Sequence, residues 1–126
     1  MPETVSKINS FTQLKAWQEA RELARYIYKQ SRSFPEEEKY GLTSQMRRSA
    51  ISVAGNIAEG FSRKSAKDKA QFYSIALGSL TETLSHSYIA FDQGYVTQDG
   101  LVILEQKATI LHKLINGLIK SAQSRI

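Results

Sequence analysis

The chain has two histidines, His86 and His112, and no cysteine, which restricts the catalytic and metal chemistry it could carry. A helical metal site needs two histidines four residues apart, and a di-iron bundle needs a glutamate three residues before each histidine. Neither pattern occurs, because Glu82 is followed three residues later by a serine and Glu105 by an alanine. A glycine-rich phosphate loop is absent too. The sequence therefore predicts a protein that is not an enzyme and that uses no metal and no cofactor.

A polar stripe within the stretch QMRRSAISVAGNIAEG, from Gln45 to Gly60, is the first feature that suggests a function. The stretch is typical of a helix, and its polar side chains recur at steps of three and four: Gln45, Arg48, Ser52, Asn56 and Glu59. Such side chains suit directed hydrogen bonds better than simple solvation. Arg48 and Glu59 are too far apart to pair within one helix. Their partners are expected on other helices or subunits, with Glu82 as one candidate partner for an arginine.

Positive charge is concentrated in the middle of the chain. The net charge is +5, from 17 Lys and Arg against 12 Asp and Glu, and most of it lies between Ser44 and Ala70. The candidates for contact with phosphate groups are Arg47, Arg63, Lys64, Lys67 and Lys69. Such contacts are electrostatic and independent of base sequence, so the pattern favours RNA or DNA as a partner. The alternative is a scaffold that docks a protein through the acidic run Glu36 to Glu38 and through Tyr40.

Four amphipathic segments must position these residues. Apolar residues at steps of three and four predict helices over about residues 11–33, 41–59, 65–92 and 99–124. Short connections favour an all-α, up-down-up-down four-helix bundle in one domain spanning residues 1–126. Capping-box spacing predicts the start of a turn or helix at Ser33, with Glu36, and at Ser65, with Asp68. Gly60 is predicted to end the second helix in a left-handed conformation, and Gly94 to end the third.

Two features of composition bear on location and packing. The N-terminal stretch MPETVSKINSFTQ has no apolar signal core, and no run approaches 18 apolar residues. We therefore expect a cytoplasmic protein with no membrane partner. Gly55 lies inside the second predicted helix, where it costs about 1 kcal/mol relative to alanine. Close approach of another helix would offset this cost, and Gly78 repeats the pattern in the third predicted helix.

Three blocks of sequence carry a resemblance to a known family. They are FTQLKAWQEARELARYIY, FPEEEKYGLTSQMRRSAISVAGNIAEG and FYSIALGSLTE, followed by a final amphipathic helix after GYV. From Phe11 to about Leu118 the chain resembles the four-helix-bundle family of 23S ribosomal RNA intervening-sequence proteins. The segment Val53-Ala54-Gly55 departs from the family pattern, in which a proline or a small polar residue is expected before the asparagine.

The resemblance implies a short bacterial four-helix bundle that assembles into a ring, a homopentamer, and whose gene can lie within an insertion in a ribosomal RNA gene. It brings no catalytic residues. It also implies a distant likeness to the accessory protein of diversity-generating retroelements, a basic pentameric barrel that binds nucleic acid and a reverse transcriptase.

A ring interface uses two different patches on each protomer. We therefore expect Gln45, Arg48, Asn56 and Glu59 to bridge neighbouring helices or protomers, while the basic residues remain free for phosphate. The alternative is that Arg48 and Glu59 form pairs within the chain that only set the register of the bundle.

Overall fold

The computed structural model describes residues 7–126, most of which lie in four α-helices. The helices are α1 (Lys15–Ser31), α2 (Leu42–Ser62), α3 (Ala66–Asp92) and α4 (Gln98–Gln123). Short 3-10 turns at Phe11–Gln13 and Glu36–Glu38 precede α1 and α2, and no β-strand occurs among these residues. Residues 1–6, the start of the stretch expected to lack an apolar signal core, lie outside the described range.

Each helix packs against the next one in the chain, and α4 returns against α1. Because the connections are short, consecutive helices run antiparallel, which confirms the predicted four-helix bundle. The contact between α2 and α3 is the most extensive. All four helices contribute to one core, whose largest fully buried apolar side chains are Leu23, Ile27, Met46, Ile57, Leu104, Leu111, Ile115 and Val53.

The ends of the helices follow local capping chemistry. Helix α1 begins four residues later than predicted, because Ser10 and Gln13 form a capping box around the 3-10 turn instead. Ser65 caps α3 as predicted, since its Oγ accepts a hydrogen bond from the Asp68 backbone N at 3.1 Å. The capping box expected at Ser33 does not form, because the turn at Glu36–Glu38 starts from Pro35 without a side-chain cap.

The two glycines predicted to end helices behave differently. Gly94 has a φ of 79° and follows the end of α3, which confirms the prediction. The prediction for Gly60 is wrong, because α2 continues to Ser62 and Gly60 is helical. A Cβ at Gly60 would lie 2.6 Å from Cε1 of Tyr73 on α3. Glycine is therefore needed at this position for the close approach of α3, and not for a left-handed turn.

Candidate nucleic-acid interface

The five residues predicted to contact phosphate do not form one cluster. Arg47 lies in the second turn of α2 and Arg63 is the residue that caps its C-terminus. Sixteen residues of helix place the two about 24 Å apart along the axis. Arg63, Lys64, Lys67 and Lys69 gather at the end of the bundle where α2 passes into α3. We call this end, together with Arg125 from the end of α4, the basic end.

Two cations of the basic end are held by contacts within the chain. The Arg63 guanidinium donates to the Glu59 carboxylate at 2.6 Å and stacks over the ring of Phe72 at 4.4 Å. Lys69 Nζ donates to the Phe61 carbonyl at 2.7 Å, where the helix dipole of α2 favours a positive charge. Burial and the nearby charge of Arg125 lower the pKa of Lys69. Both side chains therefore have a structural role in addition to their charge.

Lys64 and Lys67 differ from the other two. Both are exposed in the turn and first residues of α3. Neither has a hydrogen bond or an ion pair to any residue within 7–126. Asp68 lies between Lys67 and Lys69 and is also exposed. Lys64 and Lys67, like the exposed Arg125, are thus available to an outside anion.

Arg47 belongs to a different surface. Its Nε donates to the Ser31 hydroxyl at 2.8 Å, and its guanidinium lies 4.6 Å from the ring centroid of Tyr28. Both partners are on α1, so Arg47 joins the α1 side of the bundle and not the basic end. The sequence grouping of Arg47 with the four other residues is therefore corrected by the packing of α2 against α1.

The polar stripe of α2 is divided between the bundle and the solvent. Asn56 Nδ2 donates to the Ser52 carbonyl at 2.9 Å, and the Ser52 hydroxyl bonds that of Ser79 on α3 at 2.9 Å. One turn away, Thr83 Oγ1 donates to Ser49 Oγ at 2.9 Å. These hydroxyls form a polar seam between α2 and α3. The signal for it in the sequence is the spacing of Ser79, Thr83 and Ser87 at steps of four on the buried side of α3.

The charged residues of the stripe find other partners than expected. Glu59 pairs with Arg63, four residues along the same chain, and not with another helix. Glu82 lies 3.3 Å from Nε2 of His86, and not beside an arginine. Gln45 and Arg48 are exposed and have no hydrogen-bond partner among the described residues. Of the polar network predicted for the interface, Gln45 and Arg48 are thus the two side chains without a hydrogen-bond partner among residues 7–126.

Three glycines inside helices face open space. A Cβ at Gly55, Gly78 or Gly117 would meet nothing within 4 Å, so no other helix of this chain approaches them. They lie on the exposed sides of α2, α3 and α4. The cross-helix pairs of Ser52 with Ser79 and of Tyr88 with Glu105 place all three glycines within about one helical turn of the same height.

Exposed branched apolar residues accompany the glycines on the same three helices. They are Ile51 on α2, Ile75 and Ile89 on α3, and Val102, Ile103 and Ile110 on α4. Single exposed apolar residues are ordinary, whereas contiguous patches of them are typical of surfaces used in interactions. We call the outer sides of α2, α3 and α4 the glycine–isoleucine faces.

The opposite end of the bundle is acidic. The acidic side chains there are Glu36, Glu37, Glu38, Asp92 and Asp99, and the basic ones are Arg32 and Lys39. Glu38 is used internally, because its carboxylate accepts from the Leu42 backbone N and from the Tyr95 hydroxyl, both at 3.1 Å. Burial, together with this hydrogen bond to Glu38, raises the pKa of Tyr95. Glu36 and Glu37 remain exposed beside Tyr40, which is 88% exposed.

Residues 7–126 contain neither a metal site nor a membrane-spanning helix. No three His, Asp or Glu side chains come together as a metal site would require. None of the four helices combines the length and the apolar character needed to cross a bilayer.

The fold defines the class of protein: it is an all-α four-helix bundle with a basic end. The family described as 23S rRNA-intervening sequence protein matches residues 12–117, and the chain belongs to this family. This confirms the identification made from the sequence blocks. A search of curated proteins returns no match.

A solved structure supports the fold. It is the crystal structure of a protein with unknown function from the S23 ribosomal protein family of Bacteroides thetaiotaomicron. The two structures superpose with a TM-score of 0.75 at 24% sequence identity, covering 83% of this chain and 95% of the other.

Proposed function

We propose that this protein is a non-catalytic, cytoplasmic bundle that assembles with copies of itself and binds nucleic acid through its basic end. The observation that carries the proposal is the pair Lys64 and Lys67. Both ammonium groups are exposed and without partners among residues 7–126. Arg63, Lys69 and Arg125 beside them add positive potential that attracts an anion to this end.

The chemistry of the basic end suits phosphate groups of a nucleic-acid backbone. Lysine is a point charge that contacts phosphate without reading bases. The name of the family connects it with ribosomal RNA, which favours RNA or a ribonucleoprotein as the natural partner. The base sequence of the partner is then of little importance for affinity.

Assembly is supported by the glycine–isoleucine faces. A glycine inside an exposed helix costs about 1 kcal/mol relative to alanine, and contacts within this chain do not account for that cost. A helix of another copy can approach closely at such a position. Arg48 lies near Ile51 on the exposed side of α2. Arg48 and the exposed Gln45, one turn before it, would contact a neighbouring protomer. A ring of five copies is the assembly that the family resemblance leads us to expect.

Binding and assembly can be tested together by native mass spectrometry at low salt, on protein purified without nuclease. We expect an assembly of identical copies that retains nucleic acid. Fluorescence anisotropy with a short labelled RNA then measures how affinity depends on salt. The double variant Lys64→Glu with Lys67→Glu is expected to reduce the slope of log affinity against log salt by about two, one for each lost phosphate contact.

Lys39→Glu is the control, because Lys39 is exposed in the turn before α2, at the opposite end of the bundle and off the glycine–isoleucine faces. An unchanged slope in the double variant would contradict the proposed site. A monomer in the mass spectrum would contradict the proposed assembly.

A second candidate function is a scaffold that docks another protein at the acidic end. It is favoured by Tyr40, whose ring is 88% exposed, next to the exposed Glu36 and Glu37. A pull-down after nuclease treatment distinguishes the two candidates. Recovery of one defined protein, lost in Tyr40→Ala, supports the scaffold. Recovery of ribosomal fragments alone contradicts it.

A further inference from the structure

The exposed side of α1 carries a row of basic side chains. Arg21, Arg25, Lys29 and Arg32 recur at steps of four, four and three, and all four are exposed. From Arg21 to Arg32 the row is about 16 Å long, with successive charges about 6 Å apart along the axis. Because the spacing follows the turn of the helix, all four charges lie on the same side of α1.

Neighbouring helices add a cation to each flank of this row. Arg47 of α2 lies over the ring of Tyr28 at 4.6 Å, and Lys107 of α4 lies over the ring of Tyr26 at 5.5 Å. Both tyrosines are half-buried members of α1. Stacking on an aromatic ring holds each cation in place beside the row. Arg21, Arg25, Lys29, Arg32, Arg47 and Lys107 form what we call the α1 basic face.

Little negative charge opposes this face. Glu22 lies among its residues and is 3.8 Å from Arg25, a loose pair in which both side chains are more than half exposed. Such an exposed pair contributes little free energy and is easily exchanged for another anion. The other acid of α1, Glu19, pairs with Lys15 at 3.2 Å. An outside polyanion therefore meets an excess of five positive charges over one side of a helix.

The lining of the face argues for a nucleic acid over a lipid surface. A helix that lies in a membrane interface inserts apolar side chains between headgroups. The exposed large hydrophobic residues of the described chain include none between Ile8 and Tyr40, so α1 has none to insert. A strand of nucleic acid carries one phosphate per about 3.4 Å of helix axis, so about five phosphates match the length of the row.

We propose that the α1 basic face is a second nucleic-acid-binding surface, which takes the phosphate backbone of one RNA or DNA segment along α1. It deepens the proposed function, because the partner belongs to the same class, but it uses a different set of residues. Only Arg47 is shared with the residues first predicted from the sequence. The α1 face lies on the side of the bundle, whereas Lys64 and Lys67 lie at its end.

The test uses the whole protein and a short fluorescein-labelled RNA, with DNA of the same sequence as a second probe. Arg25→Glu and Lys29→Glu are made singly and together. Lys113→Glu is the control with the same change in charge as each single variant, and light scattering checks that it assembles like the native chain, because Lys113 lies on the outer side of α4. Anisotropy is measured between about 50 and 200 mM salt, where phosphate contacts have their largest effect on affinity. Circular dichroism and thermal unfolding confirm that each variant is folded, as expected for exposed side chains.

We expect each single variant to reduce the salt slope by about one and the affinity by about tenfold, while the control binds like the native chain. RNA and DNA should respond alike, because the face contacts backbone. A drop confined to RNA also supports the surface and assigns it to ribose-containing strands.

The other outcomes separate this inference from the proposed function. If the α1 variants bind like the native chain while Lys64→Glu with Lys67→Glu weakens binding, the inference is overturned and the basic end stands. If only the α1 variants weaken binding, the inference stands and the basic end is overturned. If the native chain binds neither probe at the lowest salt, both are overturned, and binding to anionic vesicles that Lys29→Glu abolishes would assign the face to a membrane.

Discussion

The outer side of α1 is basic, whereas the outer sides of α2, α3 and α4 carry glycine and exposed apolar side chains. Helix α1 exposes a row of cations and contains no glycine. Helices α2, α3 and α4 each contain one outward glycine at a similar height, with exposed isoleucine on the same side. Charged residues on long side chains keep another backbone at a distance, whereas glycine and isoleucine favour its close approach.

This difference indicates that one small bundle has surfaces suited to two kinds of partner. The apolar faces gain free energy only when another protein surface covers them. A basic face gains free energy when it binds a polyanion and releases its counterions. If copies assemble through α2, α3 and α4, the α1 basic face remains open to solvent and available to nucleic acid.

The largest expected effect comes from placing charge on the glycine–isoleucine faces. Ile110→Glu would bury an unpaired carboxylate in any interface on α4, at a cost of several kcal/mol. We expect the assembly to dissociate, as measured by light scattering after size exclusion. Arg25→Glu on α1 is the matched change and should leave the mass of the assembly unaltered. An intact assembly in Ile110→Glu would show that this part of α4 is not an interface.

The next largest effect is expected at the buried Gly60, and its change in stability can be compared with that at the outward glycines. Gly60→Ala puts a methyl group against the ring of Tyr73. Overpacking of this kind lowers the free energy of unfolding by about 2 kcal/mol. Denaturant unfolding measures the change. Unaltered stability would mean that the α2–α3 contact relaxes around the added methyl group.

A smaller effect of opposite sign is expected at the outward glycines. Gly78→Ala meets no atom within 4 Å in the chain itself. It should stabilise the isolated chain by about 1 kcal/mol, because alanine is the better helix former. In an interface the same methyl group would obstruct the neighbouring helix and weaken association. Unfolding at high dilution and the mass of the assembly at high concentration measure the two effects, and stronger association would contradict the close approach.

The smallest effect concerns one tyrosine on the α3–α4 side. The Tyr88 hydroxyl donates to Glu105 at 2.7 Å, and this hydrogen bond, with some burial, raises the pKa of Tyr88. A raised pKa means that the neutral phenol is favoured in the folded state. Its stabilisation is present below the unfolded pKa of about 10 and is lost as the pH rises through the folded value.

Glu105→Gln should therefore move the pKa of Tyr88 down towards its ordinary value. Ultraviolet titration of tyrosine absorbance, with Tyr88→Phe to identify the signal, measures the shift. A titration curve unchanged by Glu105→Gln would exclude this hydrogen bond in solution.

Much of the fold could be predicted because it depends on neighbours in the sequence. Apolar periodicity located the four helices to within a few residues, and Ser65 and Gly94 marked helix ends through capping and a positive φ. The prediction for Gly60 was wrong because it too was based only on neighbours in the sequence. A glycine near the end of a helix is usually a C-cap, and only the position of Tyr73 on another helix shows that it serves a close contact.

The candidate site could be predicted only in part. The exposure of Lys64 and Lys67 could be predicted, because both lie at the turn between two helices and such a turn faces solvent wherever the helices lie. Arg47 was grouped with them because it is close in sequence, but the packing of α2 against α1 brings it to Tyr28 instead. The row on α1 has a regular spacing that could have been found, but its importance depends on Arg47 and Lys107 arriving from other helices.

The sequence by itself determined the number of helices, their inner faces and the charge of the α2–α3 turn, because these follow from the period of the helix and from local capping. The tertiary structure decided which polar groups pair across α2 and α3, that three outward glycines share one height, and that cations from three helices meet on one side. The physical reason is register. The relative sliding of antiparallel helices is set by side-chain packing between segments distant in sequence, and helical periodicity carries no information about it.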